Sequence, residues 1–398
     1  MSATVLQRAT IVGGDVVDVR IDGQTIESVA PTITAQPGDT IVDLADHLLL
    51  ATAVEPHSHL DKAFLAERIE NPTGDLMGAI LAMEANRHLL DVPDIIERAE
   101  RAARLMATNG YAAVRTHADT TQEHGLRSIE ALLEVKRRVS DLIDVQVVSL
   151  CGWPMSGAAG ATNRALLRDA LEAGADLVGG CPHLEGEASR WATDFFLELA
   201  VEFGVPIDLH TDETLDRTAG GLSELAQGVL AGFPHAATAS HCVSLGQLPL
   251  DEQRAVAELV AEAGVNVIAL PQTNLFLQGR GTAPMPRGLT GVAALRAAGV
   301  NVAAGADNLQ DPFNPVGRAC PFETAGLMIM SAHDLPAVAW STVTDAARTA
   351  LGLPAVAVAA GAPADLMAVR AATVREAIAN GPAARQIWRR GVRIDEPD

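Results

Sequence analysis

Residues 54–64 read VEPHSHLDKAF and close a run, VDLADHLLLATA, composed largely of residues found in buried strands. Two histidines, His57 and His59, stand one residue apart at the end of that run. Side chains alternate across a strand, so residues two apart point the same way. Neutral imidazole is the commonest metal ligand, and this pair can offer two nitrogens to one ion. Taken alone, the pair is a weak metal signal and reads more readily as two hydrogen-bonded imidazoles. Further ligands are needed, and they must come from the ends of other strands.

Runs of the same kind recur along the chain. After the first, HLLLATAVEPHSH, come AAVRTHADT, IDVQVVSLCGWP, ADLVGGCPHLEG, VPIDLHTDE, AATASHCVSL, VNVIALPQTN and VNVAAGADN, eight in all. Between them lie stretches with helical period closed by glycine, such as DIIERAERAARLMATNG and DEQRAVAELVAEAG. Continuous apolar strands alternating with helices indicate a parallel sheet covered on both faces. Eight such units predict an α/β fold, a closed (β/α)8 barrel of the TIM type. An open doubly wound sheet is the alternative, but it gives no reason for every strand to end in polar residues. The two ends of the chain differ, with short alternating strands in ATIVGGDVVDVRIDGQTIESVA and again in ADLMAVRA and RQIWRRGVRI. Residues 1–47 and 355–398 are expected to meet in one small β-sandwich, and residues 48–354 to form the barrel.

The 398-residue chain is 48% hydrophobic but only 3% aromatic, so its core is built mainly from Ala, Val and Leu. Its net charge of −21 excludes the basic footprint that nucleic acids and anionic membranes require. No run of eighteen apolar residues appears, and MSATVLQRATIVGG lacks the basic start and apolar run of a secretory signal. A cytoplasmic location is expected. The four cysteines, Cys151, Cys181, Cys242 and Cys320, are far apart and predict buried thiols rather than disulfides or a structural zinc site.

A barrel of this kind carries its active site at the C-terminal ends of its strands. Those ends supply His57 and His59, then His117 and Asp119, His183 and Glu185, His210 with Asp212 and Glu213, His241, and Asp307. Six of the eleven histidines therefore fall at strand ends. Three histidines and a carboxylate complete one divalent site with room for water, and the ion lowers the pKa of that water toward neutrality. Glu213, three residues past His210, can exchange a proton with it. His241 can stabilise charge developing on a substrate. His117 and His183 read equally well as structural histidines. Cys242 beside His241 suggests a Cys–His pair, but adjacent strand residues face opposite ways. Lys62, in HLDK, is either functional or an ordinary surface lysine.

With these motifs, PHSHLDK, VRTHADT, GADLVGGCPHLEGE, DLHTDE, ASHCVS, LPQTNLFLQGR and GADNLQDPFNPVG, nearly the whole chain resembles the metal-dependent amidohydrolase superfamily, in its cytosine deaminase-like branch. The resemblance implies a barrel with a sandwich formed by both chain ends. It implies one divalent ion per chain, zinc or iron, bound by His57, His59, His210 and Asp307, with Asp307 also taking part in catalysis. Glu213 would shuttle protons and His241 polarise the substrate. Lys62, Gly152, Trp153, Gln278, Asn308 and Phe313 would contact a small heterocyclic substrate, and a homo-oligomer is expected. Some relatives hold two metals bridged by a modified lysine on strand four, where this chain has GGCPHLEG, so one metal is implied.

Two departures bear on the substrate. Cytosine deaminases of the best-known type carry a Pro-Gln pair after strand three, where this chain has Cys151-Gly152, and a second aspartate where it has Asn308. Lys62 and Asn308 look instead like hydrolases that remove alkylamines from s-triazines, which lack the glutamate found here as Glu213. The expected reaction is attack of activated water on an amidine-like ring carbon, releasing ammonia or an amine. The alternatives are an N-alkylamino-s-triazine or cyclic amide hydrolase, and a catalytically silent ligand-binding barrel that keeps its metal.

Overall fold

The computed structural model describes residues 3–395, so residues 1–2 and 396–398 of the expected end domain lie outside the described residues. Two eight-stranded sheets organise those that are described. The first is parallel throughout. It runs in chain order through β6 (Ala53–Ser58), β7 (Tyr111–Thr120), β8 (Asp144–Cys151), β9 (Leu177–Gly179), β10 (Ile207–Thr211), β11 (Ala237–His241), β12 (Asn266–Ala269) and β13 (Val302–Ala304). All eight predicted strands are present. The sheet closes where the chain after β13 meets β6. The Asp307 N–H donates to the His57 carbonyl at 3.0 Å, and the His59 N–H to the Asp307 carbonyl at 3.2 Å. Closure thus places the first and last predicted ligands against each other.

The run HLLLATAVEPHSH is two strands, not one. Thr52 separates β6 from a preceding strand, His47–Ala51, that pairs elsewhere. That strand is β5 of a mixed sheet whose other members are β1 (Thr4–Thr10), β2 (Val16–Asp22), β3 (Thr25–Ala30), β4 (Thr40–Asp43), β14 (Leu366–Arg370), β15 (Arg385–Arg389) and β16 (Val392–Arg393). Both chain ends therefore share one sheet, joined where β5 runs antiparallel to β14. The sheet also returns on itself. The Ile26 N–H donates to the Ala362 carbonyl at 2.9 Å, and the Ala364 N–H to the Gln24 carbonyl at 2.9 Å. Strand alternation divides its apolar side chains. Leu49, Leu366 and Ala368 pack with Val19, Ile26 and Trp388 inside the sheet, whereas Leu48, Leu50, Met367 and Val369 join the barrel core.

Helices cover the barrel, with ends that follow from local chemistry. Asp91 accepts the Asp94 N–H at 2.9 Å to cap the helix Val92–Thr108. Gly264 ends the helix Leu250–Ala263 in the left-handed region, at φ 66°. Among the described residues, no helix is long and apolar enough to cross a membrane.

The inside of the barrel is polar and layered. Arg115 and Asp208 form an ion pair at 2.8 Å, both essentially without solvent contact. One pleat higher, two residues on in each strand, sit His117 and His210. Period-two alternation lifts the histidines to the rim and sets their polar support directly beneath.

Candidate active site

Four of the predicted residues converge at the rim. His57 Nε2 lies 3.6 Å from Asp307 Oδ1, and His59 Nε2 lies 3.3 Å from it. His210 Nε2 faces His59 Nε2 at 3.2 Å. His57 belongs to three groups close enough to hold an ion, with His59 and Asp307, with His210 and His241, and with His117 and Asp208. His57 Nε2 and both carboxylate oxygens of Asp307 are buried without a hydrogen-bond partner. Buried polar atoms are nearly always paired, so several orphaned donors aimed at one point fit a cation. Their protonation states agree. Burial holds His57 and His210 well below the ordinary histidine value, and the neighbouring imidazoles push the same way, leaving them neutral at pH 7. Burial opposes ionisation of Asp307, but His59 and His241 outweigh it and keep its carboxyl below the usual carboxylate value.

The chain needs unusual backbone to do this. Asp307 has φ 64°, His241 φ 72° and Asp212 φ 49°, all in the left-handed region that side chains rarely adopt. Alternation therefore stops at the strand ends. Cys242, at φ 49°, leaves the strand in the same way. It is fully buried, and that burial pushes its thiol well above its ordinary value, so it makes no Cys–His nucleophile.

Glu213 turns back over the centre after Asp212. Its Oε1 lies 3.4 Å from both Asn274 Nδ2 and His241 Nδ1. Burial, then the charge of Asp307, pushes its carboxyl well above its ordinary value. Asn274 Nδ2 also donates to His241 Nδ1 at 3.1 Å, so the His241 proton sits on Nε2, facing Asp307 Oδ2 at 3.9 Å. Asn274 begins no strand and carries no titratable group, and the sequence reading missed it. Its position after β12, in PQTN, was the available signal.

Lys62 is no surface lysine. It is buried, donates to Asp119 Oδ1 at 2.7 Å, and lies 3.1 Å from His59 Nδ1. Burial disfavours its charge, but Asp119 and Asp61 outweigh that and raise its pKa. Arg87, also missed, lies 3.8 Å from the far side of Asp119. The centre opens into a cavity of about 100 Å³ lined by Lys62, Arg87, Gly152, Trp153, Asn308 and Phe313, among others. Gln278 is the exception among the predicted contacts. It lies in an adjoining outer chamber of about 600 Å³, because the helix Pro271–Leu277 carries it outward, and it reaches only the Glu213 carbonyl, at 3.4 Å.

Most of the other strand-end groups have local partners. His183 Nδ1 donates to the His210 carbonyl at 3.2 Å. Glu185 accepts the Met155 N–H at 2.6 Å, and Asp212 accepts the Gly221 and Leu222 N–H groups at 3.0 Å. His117 has no hydrogen-bond partner for either nitrogen and lies ring to ring with His57 at 4.0 Å.

A closed (β/α)8 barrel with a histidine–aspartate centre over its C-terminal rim defines a hydrolase of the metal-dependent class. Residues 63–394 match the Amidohydrolase family, and the chain belongs to it. It is 32% identical over 386 residues to a pterin deaminase from Rhizobium rhizogenes, covering 95% of this chain and 87% of that one. It is similar to the structure of 5-methylcytosine deaminase from Klebsiella pneumoniae, with TM-score 0.90, 29% identity, and coverage of 99% and 98% of the two chains. It is also similar to N-isopropylammelide isopropylaminohydrolase from Burkholderia multivorans, with TM-score 0.83, 29% identity and the same coverage.

Proposed function

We propose that this protein hydrolyses the exocyclic amino group of a nitrogen heterocycle, releasing ammonia, with one divalent ion, zinc or iron, held by His57, His59, His210 and Asp307. The observation that carries this reading is that His57, His59, His210 and Asp307 meet at the barrel rim, with His57 Nε2 and both Asp307 oxygens buried and unpartnered and with Glu213 and His241 beside them. Glu213 and His241 have no purpose in a barrel that merely stores a metal.

When bound, the ion supplies Lewis-acid activation of a water molecule. Glu213 takes that water's proton as its oxygen bonds to the ring carbon. It then returns the proton to the departing nitrogen as the carbon–nitrogen bond breaks. Burial holds the Glu213 carboxyl well above its ordinary value, which favours its taking up the proton it must later give back. His241 donates from Nε2 to the ring atom that gains charge, and Asn274 fixes that orientation. Lys62 and Arg87 offer donors to polar atoms at the far edge of the ring, and Phe313 and Trp153 close over its faces. The relatives named above act on pterin, 5-methylcytosine and N-isopropylammelide, each a heterocycle bearing an amino substituent. Pterins and 5-substituted pyrimidines are therefore the first substrates to try.

Lys62 and Asn308 also support release of an alkylamine from a triazine. A panel of pterin, 5-methylcytosine, cytosine and N-isopropylammelide separates the two, read as ammonia or isopropylamine with metal content measured on the same sample. Full metal loading with no turnover on any of them would refute the proposal. The same reading takes the two chain ends as one unit bracing the barrel, but the pairing of β5 (His47–Ala51) with β14 moves the expected boundary from between residues 47 and 48 to Thr52, so the barrel starts at β6 (Ala53–Ser58). It includes assembly of identical subunits in the cytoplasm, for which exposed apolar side chains such as Val316 and Leu335 offer surface.

A further inference from the structure

Beneath the centre, four side chains from four strands form a continuous chain of contacts. Arg115 on β7 donates to Asp208 Oδ2 on β10 at 2.8 Å. Asp208 Oδ1 accepts the hydroxyl of Ser240 on β11 at 2.9 Å. The same hydroxyl oxygen lies 2.9 Å from Nδ1 of His57 on β6. Each of the four is 3% exposed or less.

We propose that Ser240, oriented by Asp208, sets the tautomer of His57 and so aims its Nε2 lone pair at the metal centre. The argument is a count of protons. A serine hydroxyl has one hydrogen to give and two lone pairs to receive. Asp208, paired with the Arg115 guanidinium, is a carboxylate and only accepts. The Ser240 hydrogen is therefore committed to Asp208, and the contact with His57 requires the imidazole to be the donor. His57 carries its proton on Nδ1, and Nε2 is left with a free lone pair. That nitrogen is the buried, unpartnered atom 3.6 Å from Asp307. Arg115 anchors the direction from the far end, because a guanidinium cannot accept. Strand register makes the arrangement possible, since Asp208 pairs with Thr238 and His210 with Ser240 across β10 and β11. Ser240 touches no substrate. It acts through His57 and is a positioning residue.

This inference rests on the proposed ligand role of His57 but not on any turnover, and two measurements on the full chain test it. The first uses metal-free protein with ¹⁵N-labelled histidine, whose ring correlations report the tautomer, with His57 assigned by loss of its signals in His57→Gln. The expected result is a proton on Nδ1. A proton on Nε2 would overturn the inference. The second is zinc affinity, by competition with a chromophoric chelator. Partners that orient a ligating histidine are typically worth about 10- to 100-fold in metal affinity, and Ser240→Ala should lose that much while Ser240→Thr, which keeps the hydroxyl, recovers most of it. Unchanged zinc affinity in a folded Ser240→Ala protein would also overturn it. If Ser240→Ala does not fold, the tautomer of the wild-type protein decides alone. Failure of the proposed reaction appears separately, as normal zinc binding and the expected tautomer without amine release.

Discussion

Changing Glu213 to Gln keeps the side chain's size and its contact with Asn274 but removes the ability to take up a proton. Among the described residues, Glu213 lies outside every group close enough to hold an ion, so metal content should stay at the wild-type level. General acid–base groups supply about 10²–10⁴-fold in rate. One group serving both proton transfers belongs at the upper end, so turnover of the best substrate in the panel should fall at least about 10³-fold. Stability provides an independent readout. Burial and Asp307 raise the carboxyl above its ordinary value of 4.5 in the folded metal-free protein. A raised group contributes stability that is present in full below its unfolded value and is lost as pH rises through the folded one. Wild-type protein bears that loss on going from acid to alkaline pH, and the Gln variant does not. The melting temperature of metal-free Glu213→Gln should therefore match wild type near pH 4 and equal or exceed it at pH 8. The assays are metal analysis, thermal melts at both pH values and steady-state turnover. A variant that keeps its metal and works at more than about a tenth of the wild-type rate, against the range expected of a proton-transfer group, would refute the assignment. Asp212 and Glu185 are poor substitutes for the role, since both already hold backbone N–H groups.

His57→Ala should lose metal and turnover together; stoichiometric metal at normal affinity would remove His57 from the ligand set. Cytosine should be a poor substrate, below about 10⁴ M⁻¹s⁻¹ in kcat/KM. Gly152 carries no side chain, so no side-chain amide reads the ring from that position. Arg87→Met should lower kcat/KM by about 10- to 100-fold, the worth of a hydrogen bond from a charged group, through KM more than kcat and with metal content unchanged. Trp388→Ala, emptying a site 1% exposed inside the end sheet, should cost about 3–5 kcal/mol in chemical denaturation.

Much of this protein was legible from the chain alone, and the reason is periodicity. Eight apolar runs separated by helical stretches specify a parallel barrel, because buried strands and amphipathic helices leave different repeats in a sequence. Candidate ligands stood out because the barrel exposes chemistry only at its strand ends, but position alone offered six histidines and several carboxylates, and the family resemblance was needed to single out His57, His59, His210 and Asp307. Contacts between residues far apart in sequence left no such trace. Nothing local tells HLLLATAVEPHSH that it divides at Thr52 between two sheets, since apolar residues flank Thr52 on both sides in LLLATAV and only the β14 partner claims the first part. Arg87 and Asn274 reach the site through helices, whose facing depends on how each packs. Gln278 fell in the outer chamber for the same reason. Asp208 and Ser240 came nearest to being visible, each on the inward face of its strand. Their link to His57 exists only once the closing barrel brings β6, β10 and β11 around one axis, because a hydrogen bond is decided by the distance between atoms and not by their order along the chain.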